Sequence, residues 1–161
     1  MNPAAEAVHR ALKERGATVA TAESLTGGLI GAALTAVPGA SATYRGGVVA
    51  YATDLKAELL GVPRDLLAEH GAVHPDVALA MAHGVRHALT ASFGLSVTGV
   101  AGPDPQDGRP AGTVFAAVAG GAGQNRVTEL HLTGGRDHIR SGTVEQALHL
   151  LNAVVLGTMR N

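Results

Sequence analysis

The spacing of apolar and polar residues along the chain predicts alternating helices and strands. In the clearest segment Val77, Met81, Val85 and Leu89 recur every four positions, which indicates one apolar face of a helix. The predicted helices lie in 4–15, 25–37, 53–61, 63–71 and 75–91, and a last one follows the segment GGRDHIRSG. Short runs of β-branched and apolar residues predict strands in 18–24, 46–52, 93–99, 113–119 and 125–133.

This order of elements predicts an α/β fold. Helices between strands place parallel strands in one sheet with helices on both faces, whereas the short link GGAGQ between the last two strands favours an antiparallel hairpin. A chain of 161 residues is typical of one domain. We therefore expect residues 1–161 to form a single three-layer α/β/α domain around a mixed, mostly parallel sheet.

Composition narrows the classes of function. The chain has no cysteine, which excludes disulfides, thiolate metal sites and cysteine nucleophiles. The net charge is −1 and no basic run is present, so we expect no nucleic-acid partner. The first sixteen residues mix charged and apolar positions, unlike a signal peptide, and no apolar stretch is long enough for a membrane span. A cytoplasmic protein without membrane contact is the expectation.

Three loops that contain residues suited to binding or catalysis follow predicted strands. In AESLTGG, residues 22–28, Ser24 or Thr26 can cap the next helix, while Gly27 and Gly28 let an anion approach the backbone. A plain helix cap with packing glycines is the alternative interpretation. Binding sites of α/β folds collect at such strand ends.

The second and third loops are VTGVAGPD, residues 97–104, and GGRDHIR, residues 134–140. Thr98 and Gly99 end a strand ahead of a proline-rich loop over 99–112, and loops of that length are often functional. Arg136 and Arg140 share a helix face and suit a phosphate or carboxylate. A tight turn and a solvated helix end are the alternatives.

His83 and His87 have the i, i+4 spacing of a zinc helix, but HGVRH lacks the glutamate of HExxH. No further ligand is nearby in the sequence, so we expect exposed histidines and neither a metal site nor a cofactor.

The segment 39–56, GASATYRGGVVAYATDLK, combines Ser41, Tyr51 and Lys56. A serine becomes a nucleophile when a neutral lysine accepts its proton, and burial or a neighbouring cation such as Arg45 would lower the lysine pKa. Tyr51, near the end of its predicted strand, would then orient the hydroxyl or relay a proton. In the alternative interpretation these are a turn residue, a strand residue and a surface lysine.

Six segments in this order and spacing resemble the C-terminal domain of the competence/damage-inducible protein CinA and the stand-alone nicotinamide-nucleotide amidohydrolases of that family. They are AESLTGG, GASATYRGGVVAYATDLKAELLGV, HGAVHPDVALAMA, VTGVAGPD, GTVFAAV and GGRDHIR. The resemblance covers residues 5–157.

The resemblance implies a metal-free nicotinamide mononucleotide deamidase that releases nicotinate mononucleotide and ammonia. Carried onto this chain, the nucleophile is Ser41, the base Lys56, and Tyr51 assists. It also implies substrate binding by Ser24, Thr26, Gly27, Gly28, Thr98, Gly99 and Arg136 or Arg140. The family resemblance further implies a homo-oligomer, commonly a dimer. The alternatives are a non-catalytic module that binds a pyridine nucleotide or a competence or repair partner, and a hydrolase of another small molecule.

Three positions depart from the family pattern. Leu25 stands where the family often has cysteine, Ala40 where the first serine of GSS often stands, and His74 where GAVS has its serine. Leu25 argues against a catalytic thiol at this position, and Ala40 leaves Ser41 as the only serine of that motif. If the replaced serine caps the following helix or touches ligand, His74 alters affinity.

Overall fold

A computed structural model describes residues 1–157 and shows an open five-stranded sheet between two layers of helices. The helices are Pro3–Glu14 (α1), Leu29–Thr35 (α2), Thr53–Leu60 (α3), Arg64–His70 (α4), Pro75–Ala88 (α5) and Arg136–Leu156 (α6). The strands are Val19–Glu23 (β1), Tyr44–Val49 (β2), Phe93–Gly99 (β3), Thr113–Gly120 (β4) and Arg126–His131 (β5).

The sheet is mixed, with the strand order β2-β1-β3-β4-β5. Strand β1 pairs in parallel with both β2 and β3, whereas β4 is antiparallel to β3 and to β5. Strand β5 therefore points the same way as the first three, and only β4 is reversed. The predicted mostly parallel sheet with one antiparallel hairpin is confirmed.

Alternating side chains of the strands separate two cores. Leu95, Val97 and Val114 pack against α1, α2 and α6 on one face, while Phe115 and Ala117 pack against α5 on the other. This alternation follows from the two-residue repeat of a strand and confirms the predicted three-layer arrangement. Within residues 1–157, none of the helices combines the length and apolar character that a bilayer crossing requires.

The approach of α5 to β3 requires a glycine. A Cβ at Gly94 would collide with the backbone carbonyl of Ala82 in α5. The missing side chain lets this helix lie directly on the centre of the sheet, and Ser96 of the same strand donates a hydrogen bond to the Ala78 carbonyl at 2.5 Å.

Several boundaries differ from prediction by a few residues, and two of them have a visible cause. Strand β2 ends at Val49 rather than 52, because the chain leaves the sheet once the Ala50 N–H has bonded to the Glu23 carbonyl. Tyr51 is therefore in the link to α3. Helix α5 ends at Ala88 rather than 91, where Thr90 adopts a left-handed backbone conformation.

Parallel strands bring their ends together, and this places the site. Residues 24, 50 and 100 follow β1, β2 and β3 on one side of the sheet, which we call the carboxyl edge. Ser41 precedes β2 and lies beyond the opposite edge.

Candidate active site

Lys56 is a fully buried lysine at the carboxyl edge, with 1% of its surface exposed. It lies in α3 and its Nζ donates hydrogen bonds to Ser24 Oγ at 3.0 Å, the Ala50 carbonyl at 2.8 Å and the Tyr51 carbonyl at 3.4 Å. No carboxylate among the described residues forms an ion pair with it. Burying a cation without an ion pair costs free energy, so burial shifts the protonation equilibrium of this lysine toward the neutral amine.

Burial lowers the pKa of Lys56 from 10.5 to about 8, and the negative charge of Asp107 acts in the opposite direction. About a tenth of such lysines would be neutral at pH 7. This is a substantial fraction for a general base, which works best with a pKa close to the operating pH.

The three partners of Lys56 match the valence of a neutral amine. A neutral amine has two N–H donors and one lone pair. Two carbonyl oxygens can only accept, so they occupy the two donors, and the lone pair is left for the Ser24 hydroxyl. Deprotonation of Lys56 therefore directs its basic lone pair at a serine proton.

A cavity of about 400 Å³ opens above Ser24 at the carboxyl edge. Ser24 is 7% exposed and lies in its wall, whereas Lys56 lies behind it. Predicted site residues that line this cavity are Ser24, Tyr51, Thr98, Gly99 and Arg136. The loop 99–112 supplies much of the remaining wall, as expected for a long loop beside a strand end.

Arg136 and Tyr51 meet at the mouth of the cavity. The Arg136 guanidinium donates to the Gly102 carbonyl at 2.6 Å and to the Tyr51 hydroxyl at 3.5 Å. Tyr51 is 63% exposed, which leaves its ring free to contact a ligand. The mouth thus offers one cation and one aromatic face.

The wall formed by the 99–112 loop is fixed by short contacts. Thr98 donates from its hydroxyl to the Ala72 carbonyl at 2.8 Å, and the Ala72 N–H donates to Asp107 Oδ2 at 3.0 Å. One residue between α4 and α5 therefore connects the end of β3 with the tip of the loop.

The turn that carries Ser24 is organised by Glu23. Its carboxylate is 2% exposed and accepts hydrogen bonds from the Thr26 hydroxyl at 2.6 Å and from the N–H groups of Gly28, Ile30 and Gly31 at 2.9–3.2 Å. The prediction that Ser24 or Thr26 caps this helix is wrong, because Gly28 occupies the cap position and Glu23 satisfies the first amides of α2.

Thr26, Gly27 and Gly28 support the turn beneath the cavity and do not line it. Thr26 is completely buried, and both glycines have positive φ angles of 58° and 108° that the turn requires. The Gly27 N–H donates to the Ser24 carbonyl at 3.1 Å.

Arg140 also contacts this turn. Its Nε donates to the Leu25 carbonyl at 2.9 Å and a terminal nitrogen donates to the Thr26 carbonyl at 3.3 Å. Arg136 therefore reaches the cavity, whereas Arg140 is bonded to backbone beside it, which distinguishes two arginines that the sequence left as alternatives.

The predicted pairing of Ser41 with Lys56 is wrong. Ser41 lies in a single 3-10 turn, Ala40–Ala42, and lines a different cavity of about 410 Å³ with Pro38 and Tyr44. The six residues of β2 separate it from Lys56, a distance of roughly 20 Å at about 3.3 Å per residue. Strand β2 thus places the two residues at opposite ends of the sheet.

The supporting prediction for Tyr51 is also wrong, whereas of the two causes left open for a lowered Lys56 pKa, burial and a neighbouring cation, burial is the one found. The Tyr51 phenol lies at the mouth beside Arg136 and not between a serine and Lys56, and only the Tyr51 carbonyl contacts the amine. Arg45 donates to the Leu89 carbonyl, and the pKa of Lys56 is lowered by burial rather than by a neighbouring cation.

Sequence reasoning missed Glu23 and Asp107, and it underrated Ser24. An acidic residue at a strand end, just before a glycine turn and a helix, is a signal for Glu23, since carboxylates favour helix starts. Ser24 follows β1 and Lys56 follows β2, and ends of parallel strands meet at one edge. No sequence pattern indicated Asp107, because its partner, Ala72, is remote in the sequence.

His74 and Leu25 occupy defined places near the site. His74 is the N-cap of α5, where its Nδ1 accepts from the Asp76 N–H at 3.1 Å. A serine at this position could cap the helix in the same way. Leu25 lines the cavity beside Ser24. Within residues 1–157, the structure contains no cluster of three or more His, Asp or Glu side chains suited to a metal ion.

Comparison with known proteins gives a consistent result. A family model described as the CinA C-terminal domain matches residues 1–155. The chain is 50% identical over 146 residues to a CinA-like protein of Frankia casuarinae, covering 91% of this chain and 34% of that protein. It is 49% identical over 151 residues to a CinA-like protein of Geobacter sulfurreducens, covering 93% and 36%. The chain thus spans about a third of the length of these relatives.

Solved structures are similar over nearly the full length. A competence-damaged protein (CinA) superfamily protein from Klebsiella pneumoniae has a TM-score of 0.91 and 34% identity, with 96% of both chains covered. The competence/damage inducible protein CihA from Agrobacterium tumefaciens has a TM-score of 0.88 and 39% identity, also with 96% of both chains covered.

Proposed function

Because the chain belongs to the CinA C-terminal domain family, we propose that it is an amidohydrolase that deamidates nicotinamide mononucleotide with Ser24 as the nucleophile. One observation carries this proposal. Ser24 Oγ lies 3.0 Å from the Nζ of a buried lysine with a lowered pKa, in the wall of a cavity large enough for a small molecule.

The first half of the proposed reaction forms an acyl-enzyme. Neutral Lys56 accepts the proton of Ser24 as the hydroxyl oxygen attacks the carboxamide carbon of the substrate. The resulting tetrahedral oxyanion needs N–H donors. The Leu25 N–H directly follows the nucleophile and has no acceptor among the described residues, so we assign it to this position. The Lys56 ammonium then protonates the amide nitrogen, which leaves as ammonia, and an ester on Ser24 remains.

The second half hydrolyses the ester. Lys56, neutral again, accepts a proton from a water molecule that attacks the ester carbonyl, and the proton returns to Ser24 as the carboxylic acid leaves. One amide and one water are consumed, and one carboxylic acid and one ammonia are produced, which exchange a proton to give carboxylate and ammonium. No step requires a metal, so a chelator is expected to leave the rate unchanged.

Arg136 is the proposed ligand of the substrate phosphate. It is the cation at the mouth, and its contacts are a carbonyl oxygen and a phenol rather than a carboxylate. A phosphate could replace them with charge-assisted hydrogen bonds. The exposed ring of Tyr51 beside it suits the aromatic ring of a nucleotide.

The decisive test compares Ser24→Ala with Ser41→Ala in an assay of ammonia release from nicotinamide mononucleotide. We expect Ser24→Ala to lose at least about 1000-fold in kcat, because removal of a catalytic nucleophile has effects of this size. Ser41→Ala, at the opposite edge of the sheet, should stay within about twofold of wild type. Full activity of Ser24→Ala would exclude the proposed nucleophile.

Lysine variants and other amides complete the test. Lys56→Met should abolish ammonia release, while Lys13→Met, which removes the other lysine from an exposed position, should not. Free nicotinamide and the dinucleotide serve as competing substrates. Binding of the mononucleotide without ammonia release would favour a non-catalytic binding module, and release from another amide would favour a different substrate.

A further inference from the structure

Two oppositely charged side chains contact the turn that carries Ser24, and neither is used in the reaction described above. Glu23 binds the turn through the Thr26 hydroxyl and three N–H groups, and Arg140 binds it through the Leu25 and Thr26 carbonyls. We propose that Glu23 and Arg140 are positioning residues that hold Ser24 against Lys56 through the backbone, without contacting substrate.

Thr26 connects the two groups. Its hydroxyl donates to Glu23 at 2.6 Å and its carbonyl accepts from Arg140 at 3.3 Å. Because Thr26 is completely buried, its position is set by these two partners and the surrounding core. The residue two positions after the nucleophile is thus fixed by a carboxylate at its hydroxyl and a guanidinium at its carbonyl.

Glu23 is suited to this function because both of its oxygens are occupied. Oε1 accepts from Thr26, Gly28 and Ile30, and Oε2 accepts from Gly31. A glutamine would present an NH₂ group on one side, and an amide N–H donor of the turn would then face another donor. The arrangement requires a carboxylate in this place, and not merely a polar side chain.

Arg140 is suited to it by the geometry of its guanidinium. Two of its N–H groups reach two successive carbonyls, Leu25 and Thr26, which fixes the orientation of both peptide planes. The Leu25 N–H that we assign to the oxyanion precedes the first of these planes by one residue. A lysine could bond one carbonyl and would leave the other without its donor.

The surroundings of Arg140 argue against direct substrate contact. It does not line the cavity, whereas Arg136, one helical turn earlier, does. An arginine that bound phosphate would have to give up both carbonyls of the turn. The two arginines of GGRDHIR therefore have different tasks.

The test rests on the proposed nucleophile but not on the proposed substrate. The purified chain, residues 1–161, is treated with phenylmethylsulfonyl fluoride, which sulfonylates an activated serine with loss of fluoride, and modification of Ser24 is followed by mass spectrometry. Because this measurement needs no nucleotide, it decides the proposal even where the wild type deamidates no mononucleotide. Ammonia release gives kcat and KM in parallel.

The variants are Arg140→Met, Arg140→Lys and Glu23→Gln, with Arg64→Met as an exposed control and Arg136→Met for comparison. We expect Arg140→Met and Glu23→Gln to lower both the modification rate and kcat by about 10- to 100-fold, with KM within about threefold, because small misplacements of a reacting group have effects of this size. Arg140→Lys should recover part of the loss, Arg64→Met should match wild type, and Arg136→Met should raise KM.

Three results would overturn the proposal. They are an unchanged modification rate in folded Arg140→Met and Glu23→Gln, a rise in KM without loss of kcat in Arg140→Met, and absence of Ser24 modification in the wild type. If Arg140→Met or Glu23→Gln fails to fold by circular dichroism, folded Arg140→Lys decides, since a positioning function predicts a reduced modification rate there as well.

Discussion

At the scale of single residues, the site depends on an amine that is buried without an ion pair. Two carbonyl oxygens, Ala50 and Tyr51, stabilise the charged form of Lys56, but they do not neutralise its charge. Burial therefore lowers its pKa to about 8. The same buried environment that disfavours the charged ammonium directs the lone pair of the neutral amine at Ser24. The properties of the Ser24–Lys56 pair therefore follow from the loss of solvent around Lys56.

The pH dependence of the proposed reaction follows from this pKa. Lys56 must be neutral to act as a base, so kcat/KM is expected to rise about tenfold between pH 7 and pH 9, with a midpoint near pH 8. Initial rates of ammonia release across this range provide the measurement. A flat profile, or a fall in kcat/KM over this range, would contradict a neutral Lys56 as the base.

The lowered pKa of Lys56 also makes the free energy of unfolding depend on pH. Because the pKa of Lys56 is lower in the folded state, the unfolded chain binds more protons between about pH 8 and 10.5, and folding is penalised at lower pH. Relative to Lys56→Met, the free energy of unfolding of the wild type should increase by up to about 3 kcal/mol from pH 8 to pH 10.5. Urea denaturation at several pH values measures this difference.

At the scale of elements, loops that follow the strands form the walls of the site, and single hydrogen bonds fix the positions of these loops. The 99–112 loop forms one wall of the cavity, and its tip is attached to the α4–α5 connection by Asp107. The Asp107 backbone has a positive φ of 50°, which asparagine tolerates well. An asparagine there retains an acceptor for the Ala72 N–H but removes the charge.

Asp107 variants separate these two contributions. Asp107→Ala should raise KM severalfold and lower the free energy of unfolding by about 1 kcal/mol, since the Ala72 N–H loses its acceptor. Asp107→Asn should keep KM near the wild-type value. Both should move the midpoint of the pH profile below 8, because the Asp107 charge raises the pKa of Lys56. An upward shift in either variant would contradict this coupling.

At the scale of the whole molecule, the sheet is the frame that brings remote residues together. Its two faces are covered by separate cores, one under α1, α2 and α6 and the other under α3, α4 and α5. Leu148 of α6 is completely buried in the first of these cores, whereas Leu59 of α3 is half exposed.

These two leucines allow a matched test of the packing. Leu148→Ala should lower the free energy of unfolding by about 2–5 kcal/mol, because it leaves a cavity in a closed core. Leu59→Ala should change it by about 0.5 kcal/mol or less. Chemical denaturation of both variants gives the comparison, and equal effects would contradict the assignment of the core.

Much of the fold was predictable because its signals are local. The apolar stripe of α6, with Leu148, Leu151 and Val155 on one face, is visible in the sequence, and these residues are buried. The errors lie at ends of elements such as β2, where hydrogen bonds to a neighbouring strand decide the boundary. Such partners are remote in sequence, so a local pattern does not contain them.

The sequence by itself determined the alternation of helices and strands, the three-layer arrangement and the family, and it indicated Lys56 and the loops after strands as candidates. Only the tertiary structure decided which serine meets that lysine. Ser41 is nearer along the chain, but a strand keeps it at the far edge, whereas Ser24 follows a parallel neighbour and ends at the same edge. The same spatial pairing gave Glu23, Asp107 and the two arginines their separate contacts, because hydrogen bonds depend on distance in space and not on distance along the chain.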